Sequence, residues 1–161
     1  MERKFLSILF LLCGTIIASS AAMAKPLDSH FDFGPKSEIS TYINSYDNQM
    51  IAAAQIAELS AQKRSHRHCW RAVKNAMVEA NVLDDRPTTK YAKQAGEELE
   101  QKFGFKKIDV TDPFAAPIGS ILVYGGRGAG HVEIRTADGF VSDVVSARPS
   151  HRPLLGVYVR V

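Results

Sequence analysis

The fold is decided by the stretch HCWRAVKNAMVEA at residues 68–80. Its apolar side chains recur three and four positions apart, at Trp70, Val73, Met77 and Ala80. This spacing places them on one face of an α-helix. The preceding stretch, residues 63–68, is basic and polar. The pattern therefore predicts a helix that begins at Cys69, with the thiol at its N-terminal end.

Two further helices are predicted on either side of this one. The first begins at Ser37 or Thr41 and ends near Gln62, in a stretch rich in Ala, Gln and Ile that contains no Pro or Gly. The second covers residues 88–102, after Pro87. Acidic and basic residues are mixed along it, so we expect it on the surface.

Beyond Gly104 the sequence pattern becomes typical of β-strands: short apolar segments are separated by Pro, Gly and Asp-Gly. The predicted strands cover residues 106–110, 120–124, 131–136, 140–145 and 155–161. Helices that come first and strands that follow favour an α+β domain. We expect an antiparallel sheet of about five strands, packed against the helix that carries Cys69.

The N-terminus has the features of a secretory signal. Charged residues 2–4 precede an apolar run at residues 5–17, and Ala22-Met23-Ala24 forms an A-x-A cleavage site. The run is short for a membrane span, so we expect cleavage after Ala24 and no membrane insertion of the mature chain. The predicted product is secreted across the inner membrane and is periplasmic or extracellular.

Cleavage would divide the chain into a signal peptide (1–24), an extended N-terminal arm (25–37) and a single catalytic domain (38–161). The formal net charge falls from +3 to about +2 when the signal leaves, which does not favour nucleic-acid binding. Cys13 is lost with the signal, so Cys69 becomes the only thiol and cannot form an internal disulfide. A single thiol in an oxidising compartment is exposed to oxidation unless it is buried, so we expect Cys69 either to be buried or to have a functional role.

A cysteine nucleophile needs a base within hydrogen-bond reach and a third group that orients the base. The predicted position of Cys69 at a helix N-terminus favours the thiolate over the neutral thiol. Among the five histidines, His131 is favoured because it begins a predicted strand directly after the glycine-rich loop at residues 125–130. The others lie in the arm, in a loop between prolines, or directly before the thiol, at His30, His151, His66 and His68.

The third group depends on the register of the hairpin predicted at Asp138-Gly139. A strict two-residue turn places Asp143 on the opposite face from His131. A three-residue loop at residues 137–139 pairs Glu133 with Asp143 and puts both carboxylates on the face of His131. Periodicity does not choose between these registers.

These motifs resemble those of the NlpC-type cell-wall peptidases, which share a papain-like core with the CHAP amidases. Residues 116–124 are similar to the family's Pro-Gly-Asp-Leu-Val strand with one extra residue, and Gly130-His131-Val132-Glu133-Ile134 is similar to its His-Val-Gly-Ile strand. The family's third polar residue corresponds in spacing to Asp143. The resemblance therefore implies a papain-like core and a triad of Cys69, His131 and Asp143, with Glu133 as the rival of Asp143.

The resemblance also implies an activity, the hydrolysis of amide bonds in peptidoglycan stem peptides through a thioester. Trp70, Gly130 and Glu133 are the candidate substrate-binding residues, although the apolar stripe equally predicts Trp70 in the core. We expect no metal and no cofactor. Expected partners are peptidoglycan or another peptide substrate; an inhibitor protein is a further candidate.

The residues around the thiol depart from the family pattern. NlpC-type members read Asp-Cys-Ser-Gly, whereas this chain reads His68-Cys69-Trp70-Arg71, closer to the papain and CHAP patterns. Three alternatives therefore stay open: a papain-like protein peptidase, an acyltransferase that uses the same thioester, and a non-enzymatic periplasmic binding module with a structural cysteine.

Overall fold

Three α-helices and a six-stranded sheet are formed by residues 47–160, the part of the chain that the computed structural model describes. The predicted signal peptide, the arm and the beginning of the first predicted helix lie outside these residues. The α+β class predicted from the order of helices and strands is confirmed.

The helices are α1 (Asn48–Ser60), α2 (Cys69–Glu79) and α3 (Ala95–Phe103). As predicted, α2 begins at Cys69. The third helix is shorter than predicted because residues 92–94 form a 3-10 turn before it. None of these described helices combines the length and the hydropathy that a membrane span requires.

Six strands form the sheet: β1 (Phe105–Ile108), β2 (Ile121–Tyr124), β3 (His131–Arg135), β4 (Phe140–Val141), β5 (Val145–Ser146) and β6 (Leu154–Arg160). Their order is β1-β6-β2-β3-β4-β5, and every neighbouring pair is antiparallel. The predicted strand at 140–145 is instead two short strands, because the chain reverses at residues 142–144, where the Ser142 N–H donates to the Val144 carbonyl. The sheet therefore has six strands and not five.

The sheet buries both of its faces. Alternate residues point to opposite faces of a strand. Val132 and Ile134 of β3 share the larger core cluster with Val73 and Met77 of α2. The opposite face carries a smaller cluster, which contains Leu122, Tyr124, Phe140 and Val157. Because α2 packs on β3, the helix that begins with Cys69 is fixed to the strand that begins with His131.

The third helix is less exposed than predicted. Ala95 and Leu99 are fully buried in the larger core cluster, and the Glu98 side chain is buried as well. Gly96 lies against the Tyr158 ring so closely that a Cβ atom would be 2.2 Å from it. The mixed charges of this helix therefore indicate exposure of its outer side only, while its inner side is buried in the core.

Candidate active site

Cys69 is the first residue of α2 and is partly exposed. The residue before it, His68, takes the N-cap position, and no side chain of the described residues caps the helix. The first N–H groups of a helix have no partner within the helix, and its dipole makes this end electropositive. These N–H groups are therefore suited to stabilise negative charge on the sulfur or on a bound substrate oxygen.

Gly130 fixes the backbone directly before His131. Its φ is +78°, in the left-handed region that favours glycine. A Cβ atom here would lie 2.5 Å from the Tyr124 carbonyl oxygen and 2.8 Å from the Lys93 Cβ. Position 130 therefore admits glycine alone without a shift of the surrounding backbone.

Cys69 and His131 line the same cavity of about 530 Å³, together with Gly130. The His131 Nε2 lies 3.2 Å from the Glu133 Oε2, which leaves Nδ1 as the ring nitrogen available to the sulfur. Burial lowers the pKa of His131, but hydrogen bonds with Cys69 and Glu133 and the charges of these two groups outweigh burial and raise the pKa to about 9. The imidazole is therefore protonated at neutral pH.

The Glu133 carboxylate is buried and held on both oxygens. Its Oε1 accepts a hydrogen bond of 2.6 Å from the Tyr124 hydroxyl and one of 3.2 Å from the Ser150 N–H, while its Oε2 faces His131. Burial, followed by the hydrogen bond with Glu133 and its charge, raises the pKa of Tyr124 far above its ordinary value. Tyr124 therefore remains a hydrogen-bond donor at any working pH.

Asp143 lies in the turn between β4 and β5, and the described residues that hydrogen-bond to its side chain do not include His131. Its Oδ2 accepts from the Ser65 hydroxyl at 3.0 Å and from the N–H groups of His66 at 2.8 Å and His68 at 3.1 Å. Burial by itself raises the pKa of Asp143, but these hydrogen bonds outweigh it and hold the pKa below its usual range. Asp143 therefore fixes the loop that leads into Cys69, and Glu133 occupies the position beside the imidazole that was predicted for Asp143.

The hairpin register explains this difference. Arg135 pairs with Phe140 and Ile134 with Val141, so four residues, 136–139, connect β3 and β4. The turn is closed by a hydrogen bond of 2.9 Å from the Thr136 N–H to the Gly139 carbonyl. Both predicted registers, with loops of two and three residues, are therefore wrong.

The predicted substrate-binding residues occupy different environments. Gly130 lines the cavity that contains Cys69. Trp70 is 4% exposed; its Nε1 donates to the carbonyl and hydroxyl oxygens of Thr89, and part of it borders a second cavity. Glu133 is 3% exposed and lines neither cavity; its carboxylate contacts His131 instead.

A second cavity, of about 330 Å³, lies on the other side of Cys69. Arg67, Cys69 and Ala129 line both cavities, so the thiol stands between two open spaces. A thiol in this position is accessible from both cavities.

The wall of the second cavity is anchored from two sides. The Lys74 Nζ donates to the carbonyls of Pro87 and Thr89, each at 3.0 Å. The Glu98 carboxylate accepts from the N–H groups of Thr88 at 2.7 Å and Thr89 at 3.0 Å. Burial chiefly, and the charge of Arg86, lower the pKa of Lys74. The two anchors fix residues 87–89 as one side of this cavity.

Sequence reasoning missed Tyr124, Lys74 and Glu98. Tyr124 was placed at the end of a predicted strand, but its pairing with His131 depends on the β2–β3 register.

Within residues 47–160, no three His, Cys, Asp or Glu side chains converge in a way that could hold a metal ion. This arrangement offers a thiol at the electropositive end of a helix, beside an imidazole that a buried carboxylate holds, which is the arrangement that nucleophilic catalysis by cysteine requires.

Comparison with known proteins gives similarity of structure only. No family model matches the chain, and no curated protein matches it in sequence. A chain of the type VI native effector–immunity complex Tae3-Tai3 from Ralstonia pickettii is similar in structure, with a TM-score of 0.56 and 21% identity over 70% of this chain and 98% of that one. The selenomethionine form of the Tae3-Tai3 complex from the same organism gives a TM-score of 0.48 and 24% identity, over 58% of this chain and 80% of that one. The described residues therefore share the fold of a chain from a type VI effector–immunity complex.

Proposed function

We propose that this protein is an exported cysteine hydrolase that cleaves amide bonds in peptidoglycan stem peptides. One observation carries the proposal: the imidazole of His131 is held by the buried Glu133 carboxylate and shares a cavity with the thiol at the N-terminus of α2. The assigned roles are Cys69 as nucleophile, His131 as general acid and base, and Glu133 as the group that orients the imidazole.

Two further observations support the substrate and the partner. The motifs at residues 116–124 and 130–134 resemble those of NlpC-type cell-wall peptidases, which supports a wall amide as the substrate. The fold shared with a chain of a type VI effector–immunity complex supports a role as an effector, and it supports an inhibitor protein as a partner.

In the first half of the reaction, the Cys69 thiolate attacks the carbonyl carbon of the amide. The oxygen becomes negatively charged, and the N–H groups at the start of α2 donate to it, the Cys69 N–H among them. The imidazolium of His131 then transfers its proton to the nitrogen of the leaving amine as the C–N bond breaks. The products of this half are a free amine and a thioester on Cys69.

In the second half, water attacks the thioester carbonyl and gives a proton to His131. The C–S bond breaks, the acid product leaves, and the thiolate–imidazolium pair is restored. Glu133 keeps its charge throughout and stabilises the imidazolium by accepting from the second ring nitrogen, as the carboxylate of a catalytic triad does. Tyr124 and Ser150 hold Glu133 in this orientation.

Export is a separate part of the proposal and rests on the sequence of residues 1–24. Expression of the full chain should yield a periplasmic product that begins at Lys25. The intact mass of the protein in a periplasmic extract measures this directly. A product that retains its N-terminus and stays in the cytoplasm would contradict it.

The activity is tested with purified peptidoglycan and mass analysis of the released fragments. Cys69→Ala and His131→Ala should release no muropeptides, while His151→Ala, a matched change at an exposed histidine, should behave as wild type. Fragments with new free amino and carboxyl groups support the hydrolase and identify the bond. Release by Cys69→Ala would contradict the proposal, and an amine-linked product with little free acid would show an acyltransferase instead.

A further inference from the structure

The two cavities beside Cys69 have strongly cationic walls. Among the described residues that line them, seven are Arg or Lys and none is Asp or Glu. The chain as a whole is nearly balanced, with 20 basic and 17 acidic residues. The positive charge is therefore concentrated at the groove that the two cavities form on either side of Cys69.

Arg67 is held next to the nucleophile in a strained backbone conformation. It borders both cavities, and its φ is +62°. A residue with a side chain persists in this region only where its surroundings enforce it, and such strain is common at functional sites. Here the Arg67 N–H donates to the Ser65 hydroxyl at 3.2 Å, and Ser65 in turn donates to Asp143.

One guanidinium is fixed on each side of the thiol. In the larger cavity, the Arg152 Nη1 donates to the Arg127 carbonyl at 3.1 Å. In the smaller cavity, the Nε and Nη2 of Arg86 donate to the Asn75 Oδ1 at 3.2 and 3.0 Å. These acceptors are neutral, and the ion pairs within residues 47–160 involve none of the three arginines.

Guanidinium groups positioned without a protein carboxylate suit a carboxylate on the substrate. An arginine has five N–H donors in a planar fork that matches the two oxygens of a carboxylate. The Arg152 Nη1 also donates to the Gly125 carbonyl at 3.5 Å, and the remaining N–H donors of Arg86 and Arg152 have no acidic side chain of the described residues as a partner. Because such cations lie on both sides of Cys69, the matching substrate carries negative charge on both sides of its scissile amide.

We propose that the groove selects stem peptides by free carboxylates on either side of the scissile amide, read by Arg67 beside the bond and by Arg86 and Arg152 at the two ends. This inference rests on the proposed function. Isoglutamate and diaminopimelate residues of stem peptides carry such carboxylates, and amidation removes their charge. Amidated stem peptides are therefore poor substrates.

The test compares two muropeptides that differ only in whether these carboxylates are free or amidated. Wild-type protein should cleave the free form with roughly tenfold higher kcat/KM, the size expected when a charge-assisted hydrogen bond is lost. In Arg67→Gln, Arg86→Gln and Arg152→Gln this ratio should fall towards one. Lys106→Gln removes an exposed charge on β1 that lines neither cavity, so it should keep the wild-type ratio.

The outcomes separate this inference from the proposed function. Equal cleavage of both muropeptides by wild-type protein overturns the inference and leaves the hydrolase intact, whereas cleavage of neither overturns the proposed function itself. An arginine variant that slows both substrates equally also overturns the assignment of that arginine. Because Arg67→Gln could disturb the strained loop, Arg86→Gln and Arg152→Gln decide the question independently.

Discussion

The Glu133 Oε2 lies 3.2 Å from the His131 Nε2, and the two residues stand two positions apart on one strand. Residues i and i+2 of a strand share a face. The group that orients the imidazole therefore comes from the same strand as the imidazole, and no separate segment has to deliver it. The carboxylate is also supported from β2, through the hydroxyl of Tyr124.

Replacement of Glu133 by Gln should lower kcat by roughly 10²–10⁴-fold, the range seen when the orienting carboxylate of a triad is neutralised. The same substitution should also move the basic limb of the pH profile of kcat/KM to lower pH. In the wild type, kcat/KM should fall as pH rises through about 9, because His131 then loses the proton that the leaving amine needs. Without the carboxylate, the pKa of His131 falls, so the limb moves to lower pH.

The control for this change is Asp143→Asn, which alters a carboxylate that does not contact His131. Its basic limb should stay near pH 9 even if its rate is reduced. A Glu133→Gln protein with an unmoved limb would refute the role assigned to Glu133.

Tyr124→Phe should remove one of the two donors to the Glu133 Oε1 and leave the ring packing in place. Loss of a donor to a buried charged group destabilises by about 1.5–3 kcal/mol. We expect this loss in urea denaturation and a lower kcat, because Glu133 is less firmly held. Unchanged stability and unchanged kcat would show that this hydrogen bond is unimportant.

Asp143→Ala should release residues 65–68, since the N–H groups of His66 and His68 lose their acceptor. The expected cost is about 1–3 kcal/mol in the free energy of unfolding. The pKa of Asp143 is lowered on folding, so its contribution is present above the unfolded pKa of about 3.9 and is lost as the pH falls below it. Denaturation curves of wild type and variant should therefore converge in acid; a constant difference at every pH would contradict this.

Gly130→Ala should destabilise the fold by clearly more than Gly128→Ala. Both glycines have positive φ, +78° and +80°, so both substitutions incur strain of roughly 1–2 kcal/mol. Only at Gly130 does the added Cβ meet backbone atoms, whereas at Gly128 nothing lies within 4 Å. Thermal denaturation of the two variants measures the difference, and equal losses would show that the contact at position 130 relaxes freely.

Glu98→Gln should weaken the fold by about 1–3 kcal/mol at neutral pH, because the donors of Thr88 and Thr89 lose a charged acceptor. Burial opposes ionisation of Glu98, but the hydrogen bonds with Thr89 and Thr88 outweigh it and lower the pKa to about 2. This stabilisation is present above the unfolded pKa and is lost as the pH falls towards about 2. A stability difference that did not shrink between neutral pH and pH 2 would contradict the assignment.

The elements that the sequence predicts correctly are those with a strong local period. The start of α2 at Cys69 and the strand at His131 follow from periodicity and from the glycine loop. These two elements carry the thiol and the imidazole to which the proposed function assigns the chemistry, so both positions can be predicted without knowledge of the tertiary contacts. The shared cavity depends on packing between them, which periodicity does not contain.

The third group could not be predicted because it depends on register. A change of one residue in the loop between β3 and β4 moves every later side chain to the other face. The observed loop has four residues and Val141 ends β4, so Asp143 falls in the next turn. The N–H groups that donate to its carboxylate lie in the loop at 65–68, more than seventy residues earlier in the chain.

The buried polar anchors were missed for a related reason. Glu98 lies on a helix whose mixed charges are typical of a surface, but its carboxylate is buried because the N–H groups of Thr88 and Thr89 need an acceptor. Lys74 interrupts the apolar stripe of α2 and is bound by two carbonyls. These N–H and carbonyl groups need buried hydrogen-bond partners only in the folded backbone of residues 87–89, so the sequence alone does not reveal the need.

No side chain of the described residues caps the N-terminus of α2, and this has opposite effects on the stability of the helix and on the proposed catalysis. A serine or aspartate at position 68 would accept from the first N–H groups of the helix and stabilise it by about 1 kcal/mol. Under the proposed mechanism, those N–H groups would then no longer be free to donate to the substrate oxygen that becomes negatively charged. Under the proposed mechanism, the N–H groups at this end are free to donate to the substrate, and the helix end is less stable than a capped one would be.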